Sequence, residues 1–173
     1  ADLHVLDPDS VGLGSLGKKE DYIGRQIKAW YRSWESSIEF AQLDDPRAHE
    51  FKAFFLANQP AQVTASVVHG DYYLHNCLFS EASKVSAVLD WELATLGDPL
   101  ADLGYTLRAW PEIDDDPFLE PTAPTAVSGL PLRGELAQRY SERTGFPVDL
   151  LDYYVGFNHW KTAAILHGVY ARY

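Results

Sequence analysis

Residues 69–76 read His-Gly-Asp-Tyr-Tyr-Leu-His-Asn, and a second acidic group, Asp-Trp-Glu, follows at 90–92. Asp71, Asn76 and Asp90 together offer two carboxylates and a carboxamide. Oxygen donors of this kind suit a hard cation such as Mg²⁺, whereas Zn²⁺ favours His and Cys. A carboxylate at the mouth of a loop can also take a proton from an attacking hydroxyl. Two rival readings stand beside this one. His69, Asp71, His75 and Asp90 would make a metal centre for hydrolysis, and the same polar residues could simply turn the chain.

For the three oxygen-bearing residues to meet, the chain must fold back on itself. The β-branched run at 64–69 predicts a short buried strand that ends at His69. Residues 77–80 and 85–91 predict two further strands, with a turn at 81–84 and Asp90 near the end of the last. Placing the strands that end at His69 and Asp90 side by side would bring Asp71, Asn76 and Asp90 to one point.

Helices surround this small β element. Ile27, Trp30, Trp34 and Ile38 recur at spacings of three and four, which predicts a helix over about 19–43. Pro46 suits the first turn of a second helix running to about Asn58. Asp98 and Pro99 form a cap and a first helical residue for a helix through about 110. A fourth helix closes at Gly145. A fifth runs from about 149 to the end, with Tyr153, Phe157, Trp160 and Ala164 on one face. Residues 111–131 hold five of the ten prolines and the acidic run Asp114–Asp116, and read as a loop. The fold class expected is α+β, mainly helical, with one small central β element.

Gly-Leu-Gly-Ser-Leu-Gly at 12–17 matches the G-x-G-x-x-G phosphate fingerprint, but the segment before it, with Pro8 between two aspartates, is a poor strand. A flexible loop is the expectation there.

Composition narrows the field. The 173 residues are 46% hydrophobic and 13% aromatic, enough for one domain with a sizeable core. A formal net charge of −11 with no cluster of Lys and Arg argues against nucleic-acid and anionic-membrane surfaces. No apolar run reaches about 18 residues and no leader pattern is visible, so no membrane span is expected. The single cysteine, Cys77, allows no internal disulfide, which fits a cytoplasmic setting. Cys77 itself reads as a small buried hydrophobe.

The spacing His69, Asp71, Asn76 reproduces the interval of the protein-kinase catalytic loop, with Gly70 replacing its Arg, and Asp90 stands where the later metal-binding Asp belongs. His-Gly-Asp at 69–71 with Asn76, followed by Asp-Trp-Glu, resembles the aminoglycoside phosphotransferase and choline kinase group. With the closing helix, it is most similar to the kinase-like subgroup fused to, or encoded near, acyl-CoA dehydrogenases. That resemblance implies the C-terminal lobe of a protein-kinase-like fold over residues 1–173, lacking the N-terminal lobe that grips ATP. It implies a phosphotransferase using ATP and Mg²⁺ on a small-molecule hydroxyl, with a hydroxyacyl thioester or an aminoglycoside-like compound as acceptor, and association with an acyl-CoA dehydrogenase. Asp71 then resembles the catalytic base, and Asn76 and Asp90 the metal ligands. His69 shapes the loop, Glu92 lies near the metal, and Asp102 braces the loop by hydrogen bonds. Residues that contact the nucleotide cannot be assigned. Relatives often carry a basic residue at the position of Tyr73, and His75 would be its substitute. A chain lacking the nucleotide lobe is expected to be inactive alone, and a non-catalytic kinase-like binding module is the alternative.

Overall fold

The computed structural model describes residues 1–82, 84–110, 112 and 129–173. Its elements are α1 (Tyr22–Ala41), α2 (Pro46–Ala57), β1 (Ser66–Val68), β2 (Cys77–Phe79), β3 (Val85–Val88), β4 (Thr95–Gly97), α3 (Pro99–Arg108), α4 (Arg133–Thr144) and α5 (Leu151–Tyr170). All five expected helices form. Their starts follow local chemistry. The Asp45 carboxylate accepts the N–H of Arg47 ahead of Pro46, and Asp98 does the same for Leu100 ahead of Pro99. Gly145 closes α4 in the left-handed region at φ 73°, where a Cβ would be strained.

The core gathers on α5. Tyr154 and Phe157 are 1% exposed, and Ile27 of α1 and Val68 of β1 are fully buried beside them. Complete burial of such a side chain contributes roughly 1.5–3 kcal/mol. α5 packs on α3 and on α1. Its contact with α3 is close: a Cβ on Gly104 would lie 2.8 Å from the backbone of Tyr154. Asn158 seals the same interface, its amide donating to Ala101 O at 3.0 Å. Of the four α5 residues placed on one face, Phe157, Trp160 and Ala164 are buried and Tyr153 is half-buried.

The β structure departs from expectation in one respect. The strand ending at His69 does not pair with the strand leading to Asp90. β1 pairs antiparallel with β4, Val67 opposite Leu96, and β2 pairs antiparallel with β3, Cys77 opposite Val88. β4 has only Thr, Leu and Gly, too few residues to show an alternating pattern, and its Gly-Asp-Pro neighbour masks it as a turn. Residues 12–17 follow turns, not a strand, and form no helix start of their own. Most of 111–131 lies outside the described residues. No helix among those described is long and apolar enough to cross a membrane.

Candidate active site

The loop after β1 is held by its backbone. Gly70 takes φ +85°, a turn that Gly allows without steric cost. From the first turns of α3, Asp102, 4% exposed, accepts the N–H of His69 on Oδ2 at 2.5 Å and the N–H of Gly70 on Oδ1 at 2.7 Å. His4 donates to Asp102 Oδ2 at 3.3 Å and accepts from the Tyr140 hydroxyl at 2.7 Å, so the carboxylate is buried with partners on both oxygens.

His69 is fully buried, and both ring nitrogens are committed. Nδ1 accepts the N–H of Asp71 at 3.2 Å, which leaves the proton on Nε2 to donate to Leu89 O at 2.8 Å. That second bond connects the two halves of the site. Leu89 N–H also donates to Asn76 O at 2.8 Å, continuing the β2–β3 hairpin by one step. Asp90 is the next residue. Thus the hairpin and the His69 ring, rather than a β1–β3 pairing, bring the Asp90 backbone to Asn76 and the loop.

Asp71 has a side chain 23% exposed. Asn76, 7% exposed, donates its amide to Asp71 O at 2.8 Å and Asp71 Oδ2 at 3.0 Å. This use of the amide nitrogen leaves Asn76 Oδ1 as the acceptor end. His75 Nε2 lies 3.8 Å from Asp71 Oδ2 on the solvent side. Asp90 sits in the left-handed region at φ 62°, exposed, and its side chain makes no hydrogen bond among the described residues. A non-glycine residue held there is uncommon, and such positions cluster at functional sites. Glu92 is exposed in the short 3₁₀ turn Trp91–Leu93. The oxygen donors Asn76 Oδ1 and the Asp90 carboxylate fit Mg²⁺ in kind.

Other expected residues stand elsewhere. Tyr73 is no substitute for a basic residue: it is sunk in the core, 8% exposed, its hydroxyl donating to Ala109 O at 2.6 Å. Trp91 lines an apolar cleft behind the loop, 43% exposed, with its ring centroid 4.8 Å from that of His69. Cys77 is buried and free. Among the described residues no group of three or more His, Cys, Asp or Glu converges. The hydrolase set therefore does not gather, and His69 has no nitrogen to give a metal.

Two residues beside Asp71 escaped the sequence reading. Tyr105 of α3 is one; burial first and the Asp71 carboxylate next push its phenol up to about 12. Lys161 of α5 is the other, 6% exposed and donating to Gly70 O at 3.1 Å. A Lys in an aromatic helix was a visible anomaly, but only the packing of α5 shows where it ends. An apolar cleft of about 950 Å³ opens behind the loop, between residues 1–4, the β2–β3 hairpin, α3 and α4. It is lined by Tyr72, Tyr73 and Trp110 but not by Asp71, Asn76 or Asp90, so it is not where this chemistry would occur.

Comparison with known proteins bears on the family and the fold. The model of the phosphotransferase enzyme family matches residues 1–133. The chain belongs to that family. A crystal structure from Ralstonia eutropha JMP134 assigned to the aminoglycoside phosphotransferases superposes with a TM-score of 0.81 at 32% identity, covering 98% of this chain and 52% of that one. The fold is kinase-like. Acyl-CoA dehydrogenase family member 10 of Mus musculus is 36% identical over 98% of this phosphotransferase-family chain. Family member 11 of Rattus norvegicus is 32% identical over 99%. The chain spans 16% and 22% of the lengths of these two relatives.

Proposed function

We propose that this chain is the acceptor- and metal-side lobe of a small-molecule kinase, moving a phosphoryl group from ATP to a hydroxyl. The observation that carries the reading is the state of Asp71. Its backbone is clamped by His69, its carboxylate is held by Asn76 at 3.0 Å, and it remains 23% exposed to an incoming group. A carboxylate so positioned can orient the hydroxyl and accept its proton while contributing no covalent chemistry, as phosphoryl transfer requires.

Asn76 and Asp90 would hold Mg²⁺. When bound, the ion neutralises charge on the nucleotide phosphates. The nucleotide-gripping lobe would come from residues other than these 173, and the lobe alone would turn over no substrate. The names of the relatives favour an acceptor hydroxyl carried on an acyl thioester and an acyl-CoA dehydrogenase as the associated partner. The name of the crystal relative favours an aminoglycoside-like acceptor.

Turnover of Mg²⁺–ATP by the full-length Asp71→Asn protein tests the reading. Loss on the order of a thousandfold in kcat with little change in ATP affinity is expected. Wild-type turnover in that variant would refute the assignment and leave the binding-module alternative.

A further inference from the structure

Lys161 occupies a place that stability does not explain. It lies on the inward side of α5, 6% exposed. Its ammonium reaches one oxygen, that of Gly70, and two aromatic faces, Trp30 and Tyr105, whose centroids are 5.5 and 5.0 Å from Nζ. Among the described residues no carboxylate comes within the 4.0 Å of a direct ion pair with it. Burial pulls its pKa below the ordinary lysine value; the charges of Asp102 and Asp71 oppose that, and Arg108 adds to it. Enclosing an ammonium in this way is costly before any partner offsets it. An apolar side chain of the same length would fill the space at less cost.

The contact itself supplies a reason. The Gly70 carbonyl belongs to the peptide that joins Gly70 to Asp71. The N–H of that same peptide donates to His69 Nδ1 at 3.2 Å. The two preceding N–H groups are taken by Asp102. The peptide plane leading into Asp71 is thereby fixed at both ends, by an imidazole on one side and an ammonium on the other. Orientation of that plane sets the direction of the Asp71 side chain. Tyr73 lies in the core and His75 is 60% exposed, so neither brings a cation to this peptide.

We infer that Lys161 is a positioning residue for Asp71, its ammonium fixing the Gly70–Asp71 peptide and holding a positive charge beside the loop. The inference rests on the kinase reading for its catalytic consequence, while its geometric content does not. Lys161 acts through Gly70 and need not touch substrate.

The test uses the full-length protein and its Lys161→Met and Lys161→Gln variants. Met keeps the volume and removes the charge; Gln retains a donor for the Gly70 carbonyl. In Lys161→Met the amides of Gly70 and Asp71 should exchange about tenfold faster or more, with the thermal midpoint unchanged or raised. Phosphate release from Mg²⁺–ATP, with water as acceptor, should fall about tenfold or more in kcat while KM for ATP stays within about twofold. Lys161→Gln should recover most of the exchange protection. Wild-type exchange at Gly70 and Asp71 in folded Lys161→Met would overturn the inference. So would a lowered thermal midpoint in both variants with kcat unchanged, which would make Lys161 a plain packing residue. Measuring Asp71→Asn alongside separates the two ideas: turnover that survives it fails the kinase reading, and the exchange result still decides the clamp.

Discussion

Asp102 accepts the backbone N–H of His69 at 2.5 Å although the two stand on different elements and 33 residues apart. The same carboxylate takes the next N–H, that of Gly70. A helix side chain has replaced a strand partner for the two peptides that leave β1, so the loop can turn away from the sheet without orphaned donors. The arrangement also ties α3, and through it α5, to the residues that surround Asp71.

Removing that carboxylate should be costly. Asp102→Ala leaves two buried N–H groups without an acceptor, each worth about 1–3 kcal/mol. A loss of about 2–6 kcal/mol is expected in urea unfolding. Turnover of the full-length protein should fall with it, because the loop no longer has one conformation. A wild-type urea midpoint would contradict the role of the brace.

Gly70→Ala should damage the same loop by a different route. Its φ of +85° disfavours any Cβ, and the new atom would meet Leu93 O at 3.0 Å and Leu93 Cβ at 3.1 Å. Backbone strain of this sort costs on the order of 1–3 kcal/mol. Calorimetric unfolding of the variant reads that loss directly, and Gly134→Ala, in helix α4 with no atom within 4 Å of the new Cβ, serves as the control with no loss expected.

Asp90→Asn is expected to weaken the response to Mg²⁺ before it weakens the fold. Asp90 is exposed and its carboxylate holds no other residue among those described. In the full-length protein the Mg²⁺ concentration for half-maximal turnover should rise by about tenfold or more, with the unfolding midpoint near wild type. Unchanged metal dependence would remove Asp90 from the ligand set.

Alkaline pH should unfold the chain through its tyrosines. Burial pushes the phenol of Tyr105 up to about 12 and raises those of Tyr22, Tyr140, Tyr153 and Tyr154 further. Folded phenols therefore keep protons that the unfolded chain releases above its ordinary value of 10.0. The stability they contribute is fully present below about pH 10 and is lost as the pH rises through the folded values. Urea midpoints measured from pH 8 upward should stay flat on this account to about pH 10 and then fall steeply. A flat profile to pH 12 would contradict the burial of these groups.

The helices were legible because their signals are local. Asp45 with Pro46, Asp98 with Pro99, and Gly145 each act within one turn, and the periodic apolar residues of α1 and α5 mark a buried side without reference to the rest of the chain. The spacing of His69, Asp71, Asn76 and Asp90 was legible for a related reason: loop chemistry at fixed intervals survives in one dimension. Strand partnership was not. β4 is three residues long, and whether β1 meets it or β3 depends on contacts some 30 residues away.

From its sequence alone, this chain determined its helices, its family and the residues that can bear oxygen ligands or accept a proton. Tertiary structure alone decided how those residues meet and what supports them. The His69 ring linking the loop to Leu89, the Asp102 brace, the retreat of Tyr73 into the core and the arrival of Lys161 under Gly70 all follow from where α3 and α5 settle. A lysine is ordinarily a surface residue, and the aromatic residues before Lys161 mark it as unusual without showing where its ammonium goes. Its burial is set by the packing of whole helices, a long-range outcome that no local pattern records.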